Sequence, residues 1–164
     1  GSYYLSSVEA EPIKIHVSDK MDDLTLYLSR FHATDEEKEQ LKSFPQIKHV
    51  EAHGSSIKAC YIAHGKGELH YRFSSGTKEW DTAAIQIIVE EAGGKVTDLL
   101  GKDQKYNRDI NGALISNGLI HDEVIDILLK LNVQKGVPLW IGVSLVSIGI
   151  SSGVQYINKK VRVL

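Results

Sequence analysis

The chain is poor in the residues that would commit it to a crosslinked design: 164 residues hold one cysteine, Cys60, so an internal disulfide is excluded. No basic segment followed by an apolar core opens it in the manner of a secretory signal, and a reducing cytoplasm is the expected setting. An excess of one charge is missing too. Lys and Arg number 19 against 21 for Asp and Glu, which excludes the broad positive field that a nucleic-acid polymer selects. An anionic small molecule must therefore be held by a local cluster. With 42% hydrophobic and 24% charged residues, the composition is that of an ordinary globular protein long enough to bury one core.

Hydrophobic periodicity outlines the elements. Ile13, Ile15 and Val17 alternate with Lys14 and His16, which predicts a half-buried strand over Pro12 to Val17, and Leu24, Leu26 and Leu28 predict a second. Thr34 and Glu37 form a capping-box pair opening a helix that ends near Phe44, where Pro45 stops it. Further strands are expected at Ile47 to Val50, Glu68 to Phe73, Lys95 to Leu99 and Ala113 to Ile115. Helices are expected from Ser55 to Ala63, from Lys78 to Ala92 with Gly93-Gly94 as a left-handed stop, and from His121 to Leu131. This alternation predicts an α/β fold, a mixed sheet packed with helices. Cys60 falls within an apolar helix, where burial is the expectation.

Two constellations carry chemistry. Trp80-Asp81-Thr82-Ala83-Ala84 opens a helix that runs into Glu90-Glu91-Ala92-Gly93-Gly94. A carboxylate at a helix start sits well against the helix dipole, and its oxygens suit a hard cation such as magnesium; the competing reading of Asp81 is a simple helix cap. Upstream lie Ser29-Arg30-Phe31-His32, then Gly54-Ser55-Ser56-Ile57-Lys58, then Tyr71-Arg72-Phe73. Ser55 and Lys58 are three apart, which places them on one helix face near its N-terminus, where backbone amides favour anions. Arg72 can add a planar, two-pronged phosphate contact.

In both constellations the sequence resembles the inositol monophosphatase superfamily and, within it, the CysQ-type 3'(2'),5'-bisphosphate nucleotidases. The resemblance runs from Tyr3 to Leu131 and implies the carboxy-terminal half of that layered sugar-phosphatase fold. It implies Asp81 as a ligand of Mg2+ and His32, Ser55, Lys58 and Arg72 as contacts to a nucleotide bisphosphate. The parent activity it implies is hydrolysis of the phosphate monoester of adenosine 3',5'-bisphosphate.

Departures from the family pattern bear on this expectation. Inositol-specific members place a glutamate shortly before Trp-Asp, whereas this chain reads Arg72-Phe73-Ser74-Ser75-Gly76-Thr77-Lys78. The family's Gly-Glu-Glu and Asp-Pro-(Leu/Ile)-Asp-Gly-Thr segments do not occur in the chain. No catalytic residue is therefore assigned, the isolated chain is expected to be inactive, and its expected partner is the amino-terminal half of the same enzyme. An inositol or sugar phosphatase half and a non-catalytic binding or assembly module are the rival readings.

Residues 1–135 are read as the family-like domain and 136–164 as a separate tail. The 22 residues from Val137 to Asn158 carry no Asp, Glu, Lys or Arg, a length that would span a hydrocarbon layer of ~30 Å. Five polar residues, from Ser144 to Gln155, dilute that run, and Ile141, Val143 and Leu145 alternate like a strand. An added strand or a segment covered by a second copy in a homo-oligomer is therefore favoured over a membrane anchor.

Overall fold

Strand β3 (Leu24–Ser29) shows how the layers arise. Leu24, Leu26 and Leu28 point to one face and Tyr27 to the other, and all four are buried. A strand apolar on both faces needs cover on both. A computed structural model describes residues 1–40, 43–54, 56–77, 79–106 and 110–134, and in it that cover is a layer of helices on each side of a five-stranded sheet.

The chain starts with a short antiparallel pair, β1 (Tyr3–Tyr4) and β2 (Ile13–Lys14), outside the main sheet. After β3 come α1 (Asp35–Gln40), β4 (Ile47–His53), α2 (Ile57–Ala63), β5 (Leu69–Thr77), α3 (Glu79–Glu91), β6 (Lys95–Thr97), β7 (Ile110–Ser116) and α4 (His121–Gln134). The sheet order is β4-β3-β5-β7-β6. β3 runs parallel to β4 and β5, while β7 is antiparallel to β5 and β6, so the sheet is mixed as expected.

One core joins Leu26 and Leu28 of β3, Leu69 and Tyr71 of β5, Leu114 of β7 and the inner face of α4. The other joins Tyr27 and Ile115 to Ala59 and Ile62 of α2 and to Ile85 and Val89 of α3. Thus α1 and α4 lie on one face and α2 and α3 on the other. Helix α3 ends as its glycines require. The Gly93 N–H bonds the Glu90 carbonyl and the Gly94 N–H the Val89 carbonyl, both at 2.9 Å, with Gly93 at φ +94°, the paired bonds of a Schellman stop.

Three expectations are corrected. The strand predicted over Pro12 to Val17 reduces to the two residues of β2. The Ile15 N–H bonds the Ser2 carbonyl and the Val17 N–H the Ala92 carbonyl, so this segment lies across the end of α3 and lends Ile15 and Val17 to the core there. Cys60 is exposed, because the inward face of α2 is taken by Lys58, Ala59, Ile62 and Ala63. Helix α2 also starts later than expected, at Ile57 with Ser56 at its cap, so Lys58 sits in its first turn. Several elements run longer than predicted, among them β4 to His53, β5 to Thr77 and α4 to Gln134. Ser55, Lys78 and the tail from 135 onward lie outside the described residues. Among the described residues no helix is long and apolar enough to cross a membrane.

Candidate functional site

The chain leaves β3 for β4 on one side and then crosses to β5 on the other, with α1 and α2 on opposite faces. In open α/β sheets ligands settle outside the carboxyl ends of strands at such a reversal. The segments singled out in the sequence lie at that end. His32 follows β3, Gly54 follows β4, and Ser29 pairs with His53 where those strands finish. Arg72 stands three residues beyond Leu69, as Ser29 does beyond Leu26, and Leu26 and Leu69 are register partners.

Lys58 and Arg72 are brought together from the α2 side. Lys58 is only 4% exposed although it is a lysine, because it occupies the inner face of α2 beside Ala59 and Ile62. Burial holds its ammonium below the usual lysine range. The Arg72 guanidinium pushes the same way, and the Glu37 carboxylate opposes. Arg72 is half-buried on β5, on the face opposite to Leu69 and Tyr71. His70, two residues earlier on that face, is buried, and its Nδ1 lies 2.8 Å from the Tyr27 carbonyl. Desolvation first, then the Lys58 charge, bring its pKa down to about 3 despite that hydrogen bond, with Arg72 acting in the same sense. His70 is thus a neutral floor beneath two cations.

The other predicted residues differ in setting. His32 is exposed in the loop after β3, where its N–H donates to the Ser29 hydroxyl at 3.2 Å. Asp81 lies in the first turn of α3 and is exposed, next to Trp80, which is 76% exposed. No group of three or more His, Cys, Asp or Glu side chains gathers as a metal site among the described residues. Asp81 thus offers one hard oxygen donor, and these residues do not complete a divalent-cation site by themselves.

Two neighbours of Lys58 and Arg72 escaped the sequence reading. Glu37 carried a capping signal and nothing more, yet its side chain acts on Lys58. His70 precedes Arg72 by the two-residue step that puts both on one face of a strand, a signal that was present and not used. The apolar cleft lined by Met21, Phe44, Ile47 and Ile120 opens around Leu24 and Leu69, where β3 and β5 begin, at the far end from Arg72.

The layered α/β fold matches that of solved inositol monophosphatases: the Thermotoga maritima IMPase superposes with a TM-score of 0.64 at 25% identity, covering 79% of this chain and 52% of that one. The chain belongs to the inositol monophosphatase family, whose model matches residues 4–132. Among curated relatives, the fructose-1,6-bisphosphatase/inositol-1-monophosphatase of Thermotoga maritima is 40% identical over 82 residues, 50% of this chain and 30% of the relative. The 3'(2'),5'-bisphosphate nucleotidase CysQ of Buchnera aphidicola is 36% identical over 105 residues, 64% of this chain and 38% of the relative. The chain therefore spans well under two thirds of the length of the curated relatives it matches. The relatives are phosphatases, enzymes that hydrolyse phosphoric monoesters.

Proposed function

We propose that this chain is the carboxy-terminal, substrate-binding half of a magnesium-dependent 3'(2'),5'-bisphosphate nucleotidase, in which Lys58 and Arg72, joined by Ser55 and His32, hold the phosphates of adenosine 3',5'-bisphosphate. The observation that carries this reading is a lysine withdrawn from water beside a half-buried arginine at the carboxyl ends of the parallel strands. Two like charges so placed oppose each other, and a phosphate set between them offsets both repulsion and desolvation. Arg72 offers a planar fork for two phosphate oxygens, while Lys58 acts as a point charge. The order of the chain supports the same reading, since His32 follows β3 and Ser55 comes three residues before Lys58 in sequence.

Magnesium, when bound, polarises the phosphoryl oxygens and makes water a better nucleophile. Asp81 would supply one ligand to it. In the hydrolysis, water adds to phosphorus, the P–O bond to the ribose oxygen breaks, and a proton from the water ends on that oxygen, giving the ribose hydroxyl and inorganic phosphate. This chain contributes by fixing the substrate against that reaction and balancing its charge.

A second reading, a sugar or inositol phosphate phosphatase half, is favoured by the identity to the Thermotoga maritima enzyme. Calorimetric titration of the chain with adenosine 3',5'-bisphosphate, inositol 1-phosphate and fructose 1,6-bisphosphate separates the two. The nucleotide is expected to bind tightest, with Lys58→Ala and Arg72→Ala each weakening it about tenfold or more, since a hydrogen bond to a charged group is worth ~1.5–3 kcal/mol. Tighter binding of the inositol or sugar phosphate would replace this reading by the second.

A further inference from the structure

We infer that Glu37 is a positioning residue for Arg72: it clamps strand β5 on either side of the arginine and so aims the guanidinium at the phosphate that Lys58 and Arg72 share. The inference rests on the functional reading above. Glu37 is 1% exposed, an unusual place for a carboxylate unless it is fully bonded. Its backbone carbonyl accepts the Tyr71 hydroxyl at 2.9 Å, and its Oε1 accepts the Phe73 N–H at 3.0 Å. Arg72 lies between those two anchors. Glu37 Oε2 takes the Thr34 N–H at 2.9 Å and the Glu37 N–H donates to Thr34 Oγ1 at 3.1 Å, so the carboxylate is itself held by the capping box.

The neighbouring ladder explains why a clamp is needed. β5 has one register pair with β3, Leu26 with Leu69, and its pairing with β7 is regular only as far as Arg72, where the register shifts before Ser75. Strand pairing therefore slackens at the position where the arginine must be aimed, and the Phe73 N–H is satisfied by Glu37 instead. Tyr71 is almost wholly buried, so its hydroxyl also needs the acceptor that α1 provides. Among the described residues, Arg72 and His70 on β5 and Glu37 on α1 act on the charge of Lys58 or are acted on by it. Of these Glu37 alone is an anion.

A double-mutant cycle between Glu37→Gln and Arg72→Ala, read by calorimetric binding of adenosine 3',5'-bisphosphate to the full chain, tests the inference. Glutamine keeps one acceptor oxygen but cannot serve both Phe73 and Thr34. Arg72→Ala is expected to cost about tenfold in the wild-type background and less than about threefold beside Glu37→Gln, because an unaimed arginine has less to lose. Tyr71→Phe cuts the other anchor without altering charge, and is expected to shrink the Arg72 effect in the same way if Glu37→Gln fails to fold. Thr34→Ala removes the hydroxyl that caps the Glu37 N–H but keeps the Thr34 N–H that the carboxylate accepts, so it should leave the Arg72 effect at its full size. Independent, multiplicative losses in both cycles would overturn the role of Glu37 while leaving the nucleotide site standing. An Arg72→Ala variant that binds as the wild type does would overturn both.

Discussion

The buried histidines show how single residues couple this fold to pH. His121 is fully buried between two hydroxyls, with Nδ1 2.8 Å from Ser116 Oγ and Nε2 2.8 Å from Thr97 Oγ1. Thr97 spends its proton on the Asp98 carbonyl, so it accepts from Nε2–H, and Nδ1 is left to accept from Ser116. This pair of contacts suits a neutral ring. Burial, with the Lys95 charge behind it, lowers its pKa to about 4, and His70 lies lower still, at about 3. Both folded values are below the ordinary 6.5, so the unfolded chain takes up protons first as the pH falls. Stability supplied by the neutral rings is complete above about pH 6.5 and is lost toward pH 4, with a slope of up to ~1.4 kcal/mol per pH unit for each histidine. Urea unfolding at pH 7.5, 6 and 5 should show that decline. A flat profile would mean that neither ring is held neutral.

At the scale of elements, α1 carries both a well-bonded and a badly bonded buried polar group. Glu37 and Gln40 lie three apart on its inner face, and Gln40 is 2% exposed with neither Oε1 nor Nε2 bonded. Leaving such groups unsatisfied costs about 1–3 kcal/mol, so Gln40→Leu should raise the stability of the chain by about 1 kcal/mol in denaturant unfolding. An unchanged or lowered midpoint would show that bound water already satisfies the amide. Strand β7 offers a change of opposite sign beside the site. Gly112 sits at φ +79°, and a Cβ there would lie 2.5 Å from Leu99 Cδ1 and 2.8 Å from the Arg72 carbonyl. Gly112→Ala should therefore destabilise by about 2 kcal/mol or more and weaken nucleotide binding through the displaced Arg72 backbone. Wild-type stability for this variant would remove the close approach.

The same scale shows what was legible in the sequence. β3 and α3 were plain, because alternating leucines and a Gly-Gly stop are local signals, and the capping box was bonded as read. The place of Ile13 to Val17 was hidden: alternation reports a buried edge but not which element covers it, and here the cover is the end of α3. The buried setting of Lys58 was also hidden, since a lysine in a seven-residue helix reads as surface until the sheet beneath it is known. Glu37 was visible as a cap, but its bonds to β5 cross 34 and 36 residues of sequence and no local pattern encodes them.

For the whole molecule, family membership and partial length combine into a prediction about activity. Asp81 is one carboxylate, no metal cluster forms among the described residues, and the two acidic family segments do not occur in these 164 residues. The chain by itself should show no turnover of adenosine 3',5'-bisphosphate with magnesium, measured as released phosphate. Turnover abolished by Asp81→Ala would contradict this. In a protein that supplies the remaining ligands, Asp81→Asn should lower the rate at limiting magnesium by at least about tenfold with little effect on unfolding, because the amide keeps the shape but not the charge. An unchanged rate would remove Asp81 from the metal site.

The proposed nucleotide-phosphate site lies at the carboxyl ends of β3, β4 and β5 around Lys58 and Arg72. Backbone amide shifts, followed by NMR as adenosine 3',5'-bisphosphate is added to the chain, test it most directly. Saturable shifts concentrated at residues 29–32, 54–58 and 71–73 are expected, and they should vanish in the Lys58→Ala, Arg72→Ala double variant. No saturable shift, or shifts confined to the apolar cleft around Met21, Phe44 and Ile120, would contradict it.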